Sequence, residues 1–136
     1  MSGLRTSHRW IVDLFAGLIV IQFFLAGLGA FTTVHNKRFN DNNFGPHAVL
    51  GTVLVVVALV IAVLAVLGRW SPSASKLSGV LLGLMILQFI LGVAGAGTAP
   101  VLGGLHAVNA LLIVVVVYLL VRDTHHLTRA VPPSTA

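Results

Sequence analysis

Four long apolar runs, nearly free of charge, limit what this chain can fold into. They cover roughly Ile11–Val34, Pro46–Gly68, Leu77–Thr98 and Val101–Val121. Each is near the ~20 residues that cross a ~30 Å hydrocarbon core at about 1.5 Å per residue. Between them lie polar or helix-breaking stretches, "HNKRFNDNNFGP", "GRWSPSASK" and "GTAP". In lipid the backbone meets its own hydrogen-bonding needs only as a helix or a closed barrel. Barrel strands would alternate apolar and polar residues, and these runs do not. The expectation is an all-α membrane protein with four transmembrane helices in one domain, residues 1–129. The tail at 130–136, rich in Pro and Ser/Thr, is expected to be disordered. The last connection is so short that the third and fourth helices must form a tight hairpin.

Composition agrees. Hydrophobic residues make up 57% of the chain and charged residues 8%, against roughly 25% charged in soluble domains. The formal charge of +5 does not point to nucleic acid. The eight Lys and Arg are too few for a binding stripe and sit at the ends of apolar runs. The lipid bilayer is the expected surrounding. Without cysteine there is no disulfide, thiolate metal site, iron–sulfur cluster or thiol redox chemistry. No Asp or Glu lies inside the runs; Asp13 and Asp123 stand at their ends. That argues against a carboxylate proton relay or cation site. A phosphate-binding glycine loop and a Ser-His-Asp constellation also lack candidates. The first run is too long for the ~7–15 residue apolar region of a signal peptide, so it reads as a retained helix.

Charge sets the expected orientation. Arg5, Arg9, Arg69, Lys76, Arg122 and Arg129 lie on one side, and only Lys37 and Arg38 on the other. Cytoplasmic loops carry the excess of Lys and Arg. Both termini are therefore expected in the cytoplasm, in an up-down-up-down bundle.

The chain also repeats itself. "LIVIQFFLAGLGA" in the first run aligns with "LMILQFILGVAGA" in the third, pairing Gln22-Phe23 with Gln88-Phe89. "HAVLG" opens the second helix from His47, and "HAVNA" stands in the fourth from His106. Two repeated helical hairpins of the same orientation follow, related by an axis along the membrane normal. The repeat puts His47 and His106 on the second and fourth helices, toward the outer face. Neighbouring helices pack about 8–10 Å apart, which puts a diagonal pair roughly 12–14 Å apart. Two inward imidazoles across that gap leave room for one metal at bonds of about 2.0–2.1 Å, and a haem iron fits the spacing. Two histidines alone cannot complete a tetrahedral zinc site.

Other residues gather around this idea. Gln22, Ala26 and Gly29 fall on one helical face, and Gln88, Gly92 and Gly95 repeat it. Such glycines would let a flat macrocycle approach the backbone, although small residues are also the usual means of helix packing in membranes. The two glutamines would bond to each other across helices, or to a cofactor or water. Asn109, one turn after His106, would orient the imidazole or tie two helices together. Lys37 and Arg38 would pair with haem propionates or simply be solvated. His8, His125 and His126 read as interfacial or surface groups. One estimate opposes a shared depth. His47 lies 22 residues before Arg69 and His106 lies 16 before Arg122, a difference of about 9 Å along a helix axis. The gap closes if the fourth helix continues toward Arg129 or the second is tilted.

The layout resembles half of a heme A synthase, on the strength of His47 in "GPHAVLG" and His106 in "GLHAVNA". The resemblance implies a four-helix unit holding haem between histidines of diagonal helices. The synthase has two such units, with a glutamate three residues before a ligand His; here those positions are Phe44 and Gly103. The chain also looks like an uncharacterised family of small bacterial four-helix membrane proteins, which implies a bacterial inner membrane. The expected function is a small b-type cytochrome with one haem b between His47 and His106. It would serve electron transfer or haem handling, with a quinone, a membrane redox partner or a second copy of itself as partner. No catalytic constellation marks it as a stand-alone enzyme. The alternative is a cofactor-free subunit that packs within a larger complex.

Overall fold

A computed structural model describes residues 2–36, 41–97 and 99–129. Helix α1 covers Ser2–Asn36, α2 Gly45–Leu67, α3 Pro72–Gly97 and α4 Pro100–Arg129; a 3₁₀ turn at Asp41–Phe44 precedes α2. All four helices are long and apolar enough to cross a membrane, which suggests a multi-pass membrane protein. The described residues contain no strand.

Proline marks the helix starts. Pro72 and Pro100 open α3 and α4, and Pro46 is second in α2. Proline fits the first turn because the N–H it lacks would have no helical partner there. Ser71 caps α3: its Oγ accepts from Ala74 N at 3.1 Å and donates to Asp123 Oδ2 at 3.3 Å. The far end of α2 closes on Arg69, at φ 48°. Arg5 supports that turn, donating to the Gly68 and Arg69 carbonyls at 3.2 and 3.0 Å. Left-handed backbone costs a non-glycine residue about 1–2 kcal/mol, and glycine is the usual residue past a helix end. Arg69→Gly is expected to raise stability by about 0.5–1 kcal/mol, after the extra unfolded-state freedom of glycine is subtracted. Unfolding by SDS titration, followed by circular dichroism, measures it; a destabilised variant would show that the Arg69 side chain itself is needed.

The helices touch in a ring. α1 packs on α2 and α4, and α3 packs on α2 and α4; among the described residues the diagonal pairs, α1 with α3 and α2 with α4, keep their backbones apart and meet only through side chains. Residue pairs fix the directions. Arg5 meets Gly68 and Gln22 meets His47 along α1 and α2. Leu84 meets Asn109 and Gln88 meets His106 along α3 and α4. The core is a thin seam: Val12, Phe15 and Ile19; Leu54, Ala58, Ile61 and Ala65; Leu81 and Met85; Ile113, Val117 and Leu120. In α2 the spacing 54, 58, 61, 65 is one narrow helical stripe. Outside the seam, Phe24, Phe31, Val49, Leu111 and Tyr118 are exposed, the surface that suits a bundle in lipid.

Helices α1 and α4 outrun their apolar runs, and this relocates three histidines. α1 begins at Ser2 rather than near Ile11, so His8 is helical and fully buried. Its ring lies 5.0 Å from that of Trp70, and its Nε2 is 3.4 Å from Ser78 Oγ. His125 and His126 belong to α4, which continues to Arg129 instead of stopping at Val121. His125 Nε2 lies 2.9 Å from Asp13 Oδ1, joining α4 to α1. Polar side chains that find partners on a neighbouring helix allow a helix to continue past its apolar run.

Candidate functional site

At the end of the bundle that carries the 3₁₀ turn, the histidines meet. The ring centres of His47 and His106 lie 6.2 Å apart, with 66° between their planes. The continuation of α4 past Arg122 is one of the two ways the estimated difference in depth could close.

Each imidazole is held by the repeated glutamine on the helix before it. His47 Nδ1 lies 3.2 Å from the Gln22 backbone oxygen, and His106 Nδ1 lies 3.0 Å from that of Gln88. A carbonyl oxygen only accepts, so each Nδ1 carries the proton and each Nε2 keeps a lone pair. Metal-binding histidines are commonly oriented in this way, one ring nitrogen donating to a carbonyl and the other free to ligate.

The glutamine side chains break the symmetry. Gln88 Nε2 donates to His106 Nε2 at 3.0 Å, while its Oε1 accepts from Asn109 Nδ2 at 2.7 Å. Asn109 Nδ2 also donates to the Leu84 carbonyl at 3.0 Å. Asn109 therefore ties α4 to α3 and acts on His106 through Gln88, joining the two roles read from its position. In the other hairpin Leu50 stands where Asn109 would be. There Gln22 Nε2 donates to the His47 carbonyl at 2.9 Å and lies 3.5 Å from His47 Nε2. The Gln22 Oε1 and Asn109 Oδ1 oxygens are buried without a partner among the described residues. The two glutamines bond to histidines, not to each other.

A largely apolar, partly open cavity of about 860 Å³ adjoins these groups, within the roughly 300–1,000 Å³ common for ligand pockets. Gln22, His47, Gln88, Gly92, Gly95 and His106 all line it; Gly29 and Asn109 do not. The glycines serve helix and ring packing. A Cβ on Gly92 would come 3.2 Å from His106 Cε1, and one on Gly95 would come 2.8 Å from Gly103 N. A Cβ on Gly29 would strike Asn43 O and the Phe44 ring, each at 2.8 Å. Gly29 thus seats the turn that delivers His47 to α2. Lys37 and Arg38 lie outside the described residues.

Sequence reading missed Gly51, whose Cβ would meet Gln22 Nε2 at 3.0 Å. A signal was present. A small residue follows one turn after each Gln and each His: Ala26, Gly92, Gly51 and Ala110. All four line the cavity.

Among the described residues no group of three or more His, Cys, Asp or Glu gathers as a metal site. Two imidazoles suit a metal whose remaining ligands come from elsewhere, as in a tetrapyrrole. Fold and site together define a four-helix, membrane-type protein with a twofold-repeated Gln–His cluster at one end of the bundle. The chain belongs to the family described as Family of unknown function (DUF6220), which it matches over residues 22–96. That stretch includes Gln22, His47 and Gln88, and the match carries no link to the heme A synthases. No curated protein and no solved structure matches the chain.

Proposed function

We propose that this protein is a small integral-membrane b-type cytochrome that holds one haem between His47 and His106. The observation that carries the reading is the pair of Nδ1-anchored imidazoles with ring centres 6.2 Å apart. Two nitrogens bound to one metal at about 2.0–2.1 Å put the ring centres roughly that far apart. The adjoining cavity, the apolar walls and a lone pair on each Nε2 also suit the group. Haem would supply a one-electron couple, and ligation by two histidines favours electron transfer over activation of small molecules. The protein's part is to orient both rings through the Gln22 and Gln88 carbonyls and to keep the site dry. To admit the group, the Gln88 amide must turn away from His106 Nε2.

The helices run up-down-up-down in this reading, with both termini in the cytoplasm of a bacterium and the cluster toward the outer face of its inner membrane. The six-to-two division of Lys and Arg supports that orientation. A site at one face needs a partner: a quinone, a membrane redox protein or a second copy of the chain.

One observation favours a second reading. His106 Nε2 already has a hydrogen-bond partner in Gln88, so the cluster can serve as interhelical packing in a cofactor-free subunit. An absorption spectrum of protein purified from a haem-replete host decides between them. The expected result is a sharp reduced Soret and α-band, with the sharp α-band lost in both His47→Ala and His106→Ala. A colourless wild-type protein with full helicity would sink the cytochrome reading and leave the packing one.

A further inference from the structure

The opposite end of the bundle closes on a buried histidine. His8 is fully enclosed, with the Trp70 ring 5.0 Å from its own. Ser78 gives its hydroxyl proton to the Ala74 carbonyl at 2.8 Å, so its oxygen accepts from His8 Nε2 at 3.4 Å. The imidazole is therefore neutral with its proton on Nε2, and Nδ1 is buried without a partner among the described residues. The two carboxylates at this end are engaged elsewhere, Asp13 with His125 at 2.9 Å and Asp123 with Ser71 at 3.3 Å. The other charged groups here are cations: Arg5 and Arg9 on α1, Arg69 after α2, Lys76 on α3, and Arg122 and Arg129 on α4, which also carries His126.

We infer that His8 is an acid-released latch: neutral, it holds the first two turns of α1 against the turn between α2 and α3, and protonated, it lets them go. A second ring proton would sit on Nδ1, which has no acceptor, and its charge would be buried in an end rich in cations. The charged ring is at home only in water. It reaches water by carrying residues 2–9 off the bundle, and Arg5, Thr6, Ser7 and Arg9 make that stretch polar enough to leave. Arg5 then gives up the Gly68 and Arg69 carbonyls, so the left-handed turn loses its support and Trp70 is uncovered. The Asp13–His125 pair responds in the opposite sense, because a protonated His125 holds Asp13 more strongly. Acid therefore tightens α4 on α1 just beyond the latch while it frees the latch itself. A released His8 has the ordinary histidine pKa of about 6.5, while the enclosed ring resists the proton. The closed form holds above that pH, and below it each unit multiplies the open-to-closed ratio by up to about tenfold. The latch does not depend on what the His47–His106 cluster holds.

Hydrogen exchange of the full chain in lipid nanodiscs, resolved by mass spectrometry and corrected for the intrinsic pH dependence of exchange, measures the opening. Between pH 7.5 and 5.5 the amides of residues 6–10 should exchange about tenfold faster, while those of residues 15–19 in the seam keep their rates. His8→Gln keeps an N–H toward Ser78 but takes up no proton, so the response should vanish. Ser78→Ala removes the acceptor of the neutral ring, and opening at pH 7.5 should rise about three- to tenfold, the effect of one hydrogen bond. His125→Gln should keep the response to acid. Helicity by circular dichroism guards each variant against misfolding. A wild type whose corrected exchange is flat with pH overturns the inference. So does a response that survives in His8→Gln or disappears in His125→Gln, an unchanged rate in Ser78→Ala, or seam amides that accelerate by the same factor. The readout involves no haem, so the cytochrome reading stands or falls separately.

Discussion

Gly95→Val is expected to stop the α3–α4 hairpin from closing. At Gly95 the two helices approach backbone to backbone: a Cβ would lie 2.8 Å from Gly103 N and 3.1 Å from Gly103 Cα. Main-chain atoms cannot swing aside as a flexible side-chain end can. The helices must separate, and each would lose packing along the seam. Overpacking usually costs about 1–3 kcal/mol, and a clash on backbone belongs at or above the upper end. The hairpin also positions Gln88 against His106, so the polar cluster should loosen with it. Gly104→Ala is the control. Nothing lies within 4 Å of a Cβ there, and alanine is the better helix former by up to about 1 kcal/mol. SDS titration followed by helicity measures both. The close-contact account fails if valine at 95 is tolerated as well as alanine at 104.

Phe15→Ala is the second large effect. Phe15 is fully buried among Val12, Ile19, Leu54 and their neighbours. In lipid, helices associate through side-chain packing rather than escape from water. Removing a ring therefore forfeits many small dispersion contacts and leaves a cavity that a thin seam cannot refill. Phe→Ala in a core costs about 3–5 kcal/mol. Phe15 stands seven residues from Gln22, about 10 Å along the helix, so the spectrum of any bound haem should stay unchanged while the unfolding midpoint falls. A stability loss below about 1 kcal/mol would mean that the seam is not what holds the bundle.

The sequence and the structure agree most closely where chemistry repeats. Gln22 and Gln88, and likewise His47 and His106, could be read as equivalent residues from two short identities; the structure adds that Gln22 holds His47 and Gln88 holds His106 by the same Nδ1 contact. Four helices were legible from run length alone. The rest was hidden for physical reasons. The direction of an amide depends on its neighbours across the helix, so nothing in "QF" distinguishes Gln22, turned to a carbonyl, from Gln88, turned to an imidazole. Gly92 and Gly95 were legible as a small face, but not that one faces a ring and the other a backbone. His8 looked interfacial because Arg5, Thr6, Ser7 and Arg9 flank it ahead of the first apolar run; its partners Trp70 and Ser78 lie more than sixty residues away. Helix ends at Ser2 and Arg129 escaped hydropathy because backbone hydrogen bonds continue where side-chain apolarity stops.

The seam between the two polar ends has an electrical consequence. From Phe15 to Ile19, and at the matching levels Leu54–Ile61, Leu81–Met85 and Ile113–Val117, the buried side chains are hydrocarbon and thioether only. Such a layer is an insulator, and a voltage across the membrane falls mainly over layers of this kind. Moving one elementary charge through the full drop is worth about 2.3 kcal/mol per 100 mV. On the proposed cytochrome reading, an electron held between His47 and His106 would enter from the near face and stay on one side of that layer. It would traverse only a small part of the voltage drop, so its midpoint potential should hardly respond to the energised state of the membrane.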